Sequence, residues 1–144
     1  RENYRKAYEN FNPNLVANFD EKKIEELKNN EGIIRNEKKI RASIGNAKSF
    51  LKVQKEFGSF NKYIWSFVNY KPITNSWNSE AEVPAKTELS EVISKDLKKR
   101  GFNFLGPVII YSYLQAVGII NDHIVQCYKY KDISKIDFKF IDNE

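Results

Sequence analysis

Residues 97–123 read LKKRGFNFLGPVIIYSYLQAVGIINDH, and the fold turns on how this run is parsed. One helix ends in the basic turn Lys98, Lys99, Arg100 and is stopped by Gly101. Gly101 and Gly106 then bracket the four residues Phe102 to Leu105, and Pro107 opens a second, apolar helix that stops at Gly118. This is the pattern of a helix-hairpin-helix: glycines allow close approach of backbone to a phosphate, and the N–H groups and dipole at the following helix start favour an anion. The spacing also suits an ordinary corner between two helices, with a glycine C-cap and a proline at the first helical position. From spacing alone both readings stand.

Working outward, the pattern is helical almost throughout. Tyr4, Ala7, Tyr8 and Phe11 fall on one helical face that ends before Pro13. Pro13 opens a turn carrying Leu15, Val16 and Phe19, and Asp20 is placed to N-cap a helix bearing Ile24 and Leu27 that is over by Gly32. From Asn36 to Phe57 a long amphipathic helix is expected, with Ile40, Ile44, Ala47, Leu51 and Gln54 on one stripe and Gly58 at its end. Ser59 caps an aromatic-rich segment containing Phe60, Tyr63, Ile64, Phe67 and Val68. The stretch 70–86, with Pro72 and Pro84, reads as a long loop. Thr87 caps the helix that leads into the basic turn, with Glu88 and Glu91 in its first turn matching the helix dipole. After Gly118, Asn121 or Asp122 is expected to cap a last helix bearing His123 and Cys127. The tail 131–144 alternates weakly, as in IDFKF, and suits a short strand or an appended arm.

A chain of 144 residues fits one domain, and one of that size buries about 68% of the surface its unfolded form exposes. With 41% hydrophobic and 14% aromatic residues, a core is available and general disorder is excluded. The formal charge of +5 suits a polyanionic partner. A single cysteine excludes an internal disulfide and fits a reducing compartment. Runs such as PVIIY are too short to cross a bilayer, so no membrane association is expected and the chain reads as a cytoplasmic protein.

Four features bear on chemistry. Ser112 sits among apolar and aromatic residues, where its hydroxyl either bonds back to the carbonyl one turn earlier or lines a pocket. Asp122 is either an N-cap or the carboxylate that a helix-hairpin-helix glycosylase places after its hairpin. His123 and Cys127 are the lone histidine and lone cysteine; they are either incidental core residues or half of a zinc site, since a structural zinc takes four N or S ligands. The aromatic set Tyr63, Trp65, Phe67, Tyr70 and Trp77 suits a core as well as a base-stacking pocket.

Three runs, GIIRNEKKIRASIGNAKSFL, YIWSFVN and SKDLKKRGFNFLGPVIIYSYLQAVGIINDHIVQC, resemble the bacterial DNA-3-methyladenine glycosylase I family. The resemblance extends in order from Arg1 to about Tyr130, so residues 1–130 are expected to be the glycosylase domain and 131–144 a C-terminal tail. It implies an all-α, helix-hairpin-helix glycosylase fold and a hydrolase that removes 3-methyladenine from double-stranded alkylated DNA in base excision repair, acting as a monomer. By the same resemblance Ser112 is a base-pocket residue, and Lys99, Arg100, Gly101, Phe102, Asn103, Phe104 and Gly106 form the DNA-binding hairpin. The family's structural zinc ties its two termini together, and His123 and Cys127 correspond to two of the four ligands. The other two, together with the base-recognising glutamate and much of the aromatic pocket, belong to an N-terminal segment that this sequence is expected to lack, so no catalytic residue is assigned. The family does not rely on the usual hairpin-following aspartate, which weighs against catalysis by Asp122. The alternative implied is a catalytically inactive DNA-binding module derived from such an enzyme.

Overall fold

A computed structural model describes residues 1–136. They gather into two compact units: Arg1–Gly58 with Leu97–Phe104, and Ser59–Asp96 with the chain from Leu105 onward. Both are mostly helical, as expected.

The first unit contains α1 (Glu2–Ala7), α2 (Pro13–Val16), α3 (Glu21–Asn29) and α4 (Glu37–Phe57). The starts of α3 and α4 are where the capping residues predict them. Asp20 accepts from the Lys23 N–H at 2.8 Å, and Asn36 accepts from the Lys39 N–H at 3.1 Å. The α4 stripe Ile40, Ile44 and Ala47 is buried in one cluster with Tyr8, Val16, Ile24 and Leu27. α4 also buries a second face that the apolar stripe did not predict, with Val53 and Ser49 inside while Leu51 and Gln54 are half-buried.

The first helix is shorter than its periodicity suggests. It ends at Ala7, and Glu9, Asn10 and Phe11 take φ values of 50°, 54° and 59°. Pro13 has no N–H to extend the ladder and biases Asn12 toward extended backbone (ψ 114°), so the chain leaves the helix early. Tyr8 stays in the core, whereas Phe11 is exposed and stacks on the Tyr8 ring.

In the second unit, α5 (Phe60–Ser66) is capped by the Ser59 hydroxyl, which accepts from the Lys62 N–H at 3.0 Å. Tyr63, Ile64 and Trp65 are buried, so this part of the aromatic set is core. Within the stretch read as loop, β1 (Ile73–Thr74) pairs in parallel with β2 (Ile120–Asn121). A ladder of two residues has no alternation to read and was invisible in sequence. α6 (Glu88–Lys99) begins with a reciprocal cap in which the Thr87 N–H donates to Ser90 Oγ and the Ser90 N–H to Thr87 Oγ1. α7 (Pro107–Ala116) ends at Gly118, whose φ of +81° lets the Ile119 N–H reach back to the Leu114 carbonyl at 3.0 Å.

The last helix, α8 (Tyr128–Ser134), starts later than expected. His123 and Cys127 therefore precede it, and neither Asn121 nor Asp122 caps it. Asn121 is spent in the ladder, and the Asp122 carboxylate is occupied by side chains, as described below. Lys131–Ser134 belongs to α8 rather than to a strand. Most of IDFKF lies outside the described residues.

Candidate functional site

Asp122, in the second unit, accepts hydrogen bonds from four side chains. Its Oδ1 accepts from Asn75 Nδ2 and Trp77 Nε1, both at 2.7 Å, and its Oδ2 accepts from the Tyr111 hydroxyl and from Gln115 Nε2 at 2.9 Å. Tyr111 and Gln115 are one turn apart on α7, while Asn75 and Trp77 come from the segment following β1. Burial by itself would raise the Asp122 pKa, but the four hydrogen bonds, that from Tyr111 foremost, outweigh it and hold the carboxyl below the usual aspartate value. Burial also pushes the Tyr111 hydroxyl up, and its bond to the carboxylate adds to that. A carboxylate has about four lone-pair positions, and here each meets a donor. With no acceptor capacity left for a water proton, Asp122 works as an anchor rather than as a general base.

That anchor fixes the segment carrying His123 and Cys127. The Val125 N–H donates to the Trp77 carbonyl at 2.9 Å, and the Cys127 N–H closes a turn onto the Ile124 carbonyl at 2.8 Å. Asn121, almost fully buried, accepts from the His123 N–H and donates to the Tyr130 carbonyl of α8. The outcome is that Cys127 Sγ lies 3.6 Å from His123 Nδ1. The expected helix is absent, yet a turn of four residues brings the same pair together. A tetrahedral zinc with Zn–S about 2.3 Å and Zn–N about 2.0 Å sets its sulfur and nitrogen about 3.5 Å apart. The pair therefore fits two corners of such a site. Among the described residues no group of three or more His, Cys, Asp or Glu is close enough to hold a metal.

Ser112 donates to the Val108 carbonyl at 3.1 Å, the back-bond that mid-helix serines commonly make. It also sits on an exposed face of α7 with Val108, Ile109, Tyr113 and Val117.

The chain that leaves α6 belongs to the first unit. Gly101 has φ +94°, the Phe102 N–H returns to the Leu97 carbonyl and the Gly101 N–H to that of Lys98, both at 3.0 Å. A Cβ at Gly101 would come within 3.0 Å of Ser49 Oγ on α4, so glycine is required there by conformation and by space. Phe102 is buried and pins the turn from inside. Arg100 donates to Glu56 at 2.7 Å and lies 4.9 Å over the Phe57 ring, so its guanidinium is held against α4. The exposed ammonium groups here are Lys98 and Lys99. Asn103 is gripped by Asn46 of α4: Asn46 Oδ1 accepts the Asn103 N–H at 2.8 Å, and Asn46 Nδ2 donates to the Asn103 carbonyl at 3.0 Å.

A family model described as methyladenine glycosylase matches residues 1–130. The chain belongs to this family. DNA-3-methyladenine glycosylase 1 of Escherichia coli (strain K12) is 44% identical over 127 residues, covering 88% of this chain and 68% of that protein. The DNA-3-methyladenine glycosylase of Haemophilus influenzae is 42% identical, covering 88% and 69%. The structure of 3-methyladenine DNA glycosylase I from Staphylococcus aureus, which describes recognition of 3-methyladenine by that enzyme, superposes with a TM-score of 0.85 at 34% identity, covering 90% of this chain and 69% of that one.

Against this methyladenine glycosylase frame, the residues singled out from sequence fall into two groups. Ser112, His123 and Cys127 lie in the second unit together with Gly106, whereas Lys99 to Phe104 lie in the first. Sequence reasoning missed Asn46 and the donors around Asp122. The available signals were faint: a polar Asn46 three residues before a buried Ser49 on the inner side of α4, and Gln115 one turn after Tyr111 in an otherwise apolar helix.

Proposed function

We propose that this chain is a 3-methyladenine DNA glycosylase, a hydrolase that cleaves the N-glycosidic bond of 3-methyladenine in alkylated double-stranded DNA and so begins base excision repair. The observation that carries this reading is the 44% identity to the Escherichia coli enzyme, extending over 88% of the chain. Adenine methylated at N3 is cationic and already a good leaving group, so tight selective binding of the extruded base supplies much of the rate, with water attacking the sugar carbon. The exposed face of α7 suits that task, since Val108, Ile109 and Tyr113 offer an apolar wall and the Ser112 oxygen keeps acceptor capacity beside it.

The glycosylase domain in this reading is 1–130, the part matched by the family model. DNA is held by the hairpin of a helix-hairpin-helix between α6 and α7. Lys98 and Lys99 supply charge, Gly101 and Gly106 permit close approach, Phe104 presents backbone, and Arg100, Phe102 and Asn103 brace the turn from within. Among the described residues no helix is long and apolar enough to cross a membrane, and a bacterial cytoplasm suits the single thiol. His123 and Cys127 would hold a structural zinc with two further donors. The metal would tie chain segments together and take no part in the hydrolysis.

Release of free 3-methyladenine from methylated duplex DNA is the direct test. Enzyme-dependent release is expected. Duplex binding with no release would instead establish the inactive DNA-binding module. For the metal, Co²⁺ is expected to give a thiolate charge-transfer band from Cys127 that His123→Ala weakens; an unchanged band in that variant would overturn the half-site.

A further inference from the structure

The pairing of Asn46 with Asn103 joins residues 57 apart in sequence, and it uses both ends of one carboxamide on both backbone groups of one residue. The peptide bonds here are trans, and in a planar trans peptide the C=O and the next N–H point in opposite directions. The Asn103 carbonyl faces Asn46 on α4, so the Phe104 N–H is turned away from α4. By the same rule the Phe102 carbonyl is turned outward. Of these two groups turned away from α4, the N–H is the one that an anion can meet. Phe104 itself has φ +59° and a largely exposed ring, a left-handed conformation that costs a non-glycine residue about 1 kcal/mol or more and persists where its surroundings impose it. The Asn46 clamp on the preceding residue is such a constraint. Gly101, locked against Ser49 three residues along α4, fixes the other side of the turn.

We infer that Asn46 is a positioning residue for DNA: its carboxamide aims the Phe104 amide N–H outward as a donor to a backbone phosphate, beside the ammonium groups of Lys98 and Lys99. This rests on the reading of the hairpin as the DNA-binding element and adds the residue that sets its shape. Asn46 is neutral and does not touch the nucleic acid in this account; it acts through the Asn103 backbone.

The test is the affinity of the full 144-residue chain for a short duplex, measured across a series of salt concentrations. Asn46→Ala is expected to weaken binding roughly tenfold at every salt concentration and to leave the slope of log K against log salt unchanged, because the lost Phe104 N–H contact is neutral and only lost Lys or Arg contacts change that slope, by about 0.9 for each phosphate. A helical circular dichroism signal equal to the parent's separates this loss from partial unfolding. Asn46→Gln, which keeps both amide functions on a longer stem, is expected to fold and to fall between the two in affinity. It also serves if Asn46→Ala does not fold, because an affinity equal to the parent's in Asn46→Gln then counts against the inference. Binding by folded Asn46→Ala with the parent affinity overturns the role of Asn46 while leaving the hairpin reading intact. Absence of any salt-dependent duplex binding by the unsubstituted chain overturns the hairpin reading, and this inference with it.

Discussion

Asn46 in the first unit and Asp122 in the second both hold a loop in place, with opposite chemistry. Asn46 is neutral and addresses only backbone, the N–H and C=O of Asn103. Asp122 is charged and is addressed only by side chains, from Asn75, Trp77, Tyr111 and Gln115. A backbone-directed amide aims a peptide without caring which side chains the loop carries, so the loop's own residues stay free to meet a ligand. A carboxylate hub demands four particular donors in return for a rigid segment. The difference also sets the penalty for failure, because a charge leaves stranded donors behind when it is removed, while an amide leaves one N–H and one C=O that water partly satisfies.

The comparison is open to attack in order of expected effect. Asp122→Ala should destabilise the chain by about 3 kcal/mol in urea unfolding, since four polar groups lose their acceptor. A loss below about 0.5 kcal/mol, the range of ordinary surface changes, would deny the hub any special weight. Gly101→Ala should cost about 2 kcal/mol from left-handed strain and crowding, and adding Ser49→Ala should recover part of it by removing the oxygen that the new Cβ meets. Full additivity of the two substitutions would show that the close approach to Ser49 is unimportant. Asn46→Ala should cost about 1.5 kcal/mol for its two hydrogen bonds, with amide exchange accelerated at Asn103 but not at Phe102, whose N–H is bonded to Leu97. Equal acceleration at both would mean that the turn melts as a whole and that Asn46 has no separate aiming role.

Much of the helical framework was readable because its signals are local. Asp20, Asn36, Ser59 and Thr87 each cap a helix through a bond to a backbone N–H three residues on, and Gly118 ends α7 within its own turn. Local signals also failed where a nearby constraint overruled them. Pro13 cuts short the face running from Tyr4 to Phe11, and the occupied Asp122 cannot begin the last helix. His123 and Cys127 meet as the sequence suggested, but through a turn fixed by Trp77 and Asn121 instead of through helical spacing.

The sequence by itself determined the helical class and the break at Gly101 and Pro107, because propensity and capping act over a few residues, and the family, because its motifs follow in order along the chain. Only the tertiary structure decided that Asp122 is an anchor with no free lone pair, that Arg100 is spent on Glu56, and that Asn46 turns the Phe104 N–H outward. Those outcomes depend on hydrogen bonds between residues as far as 57 apart. Such bonds are directional and short, so which donor meets which acceptor is settled only once the chain has folded.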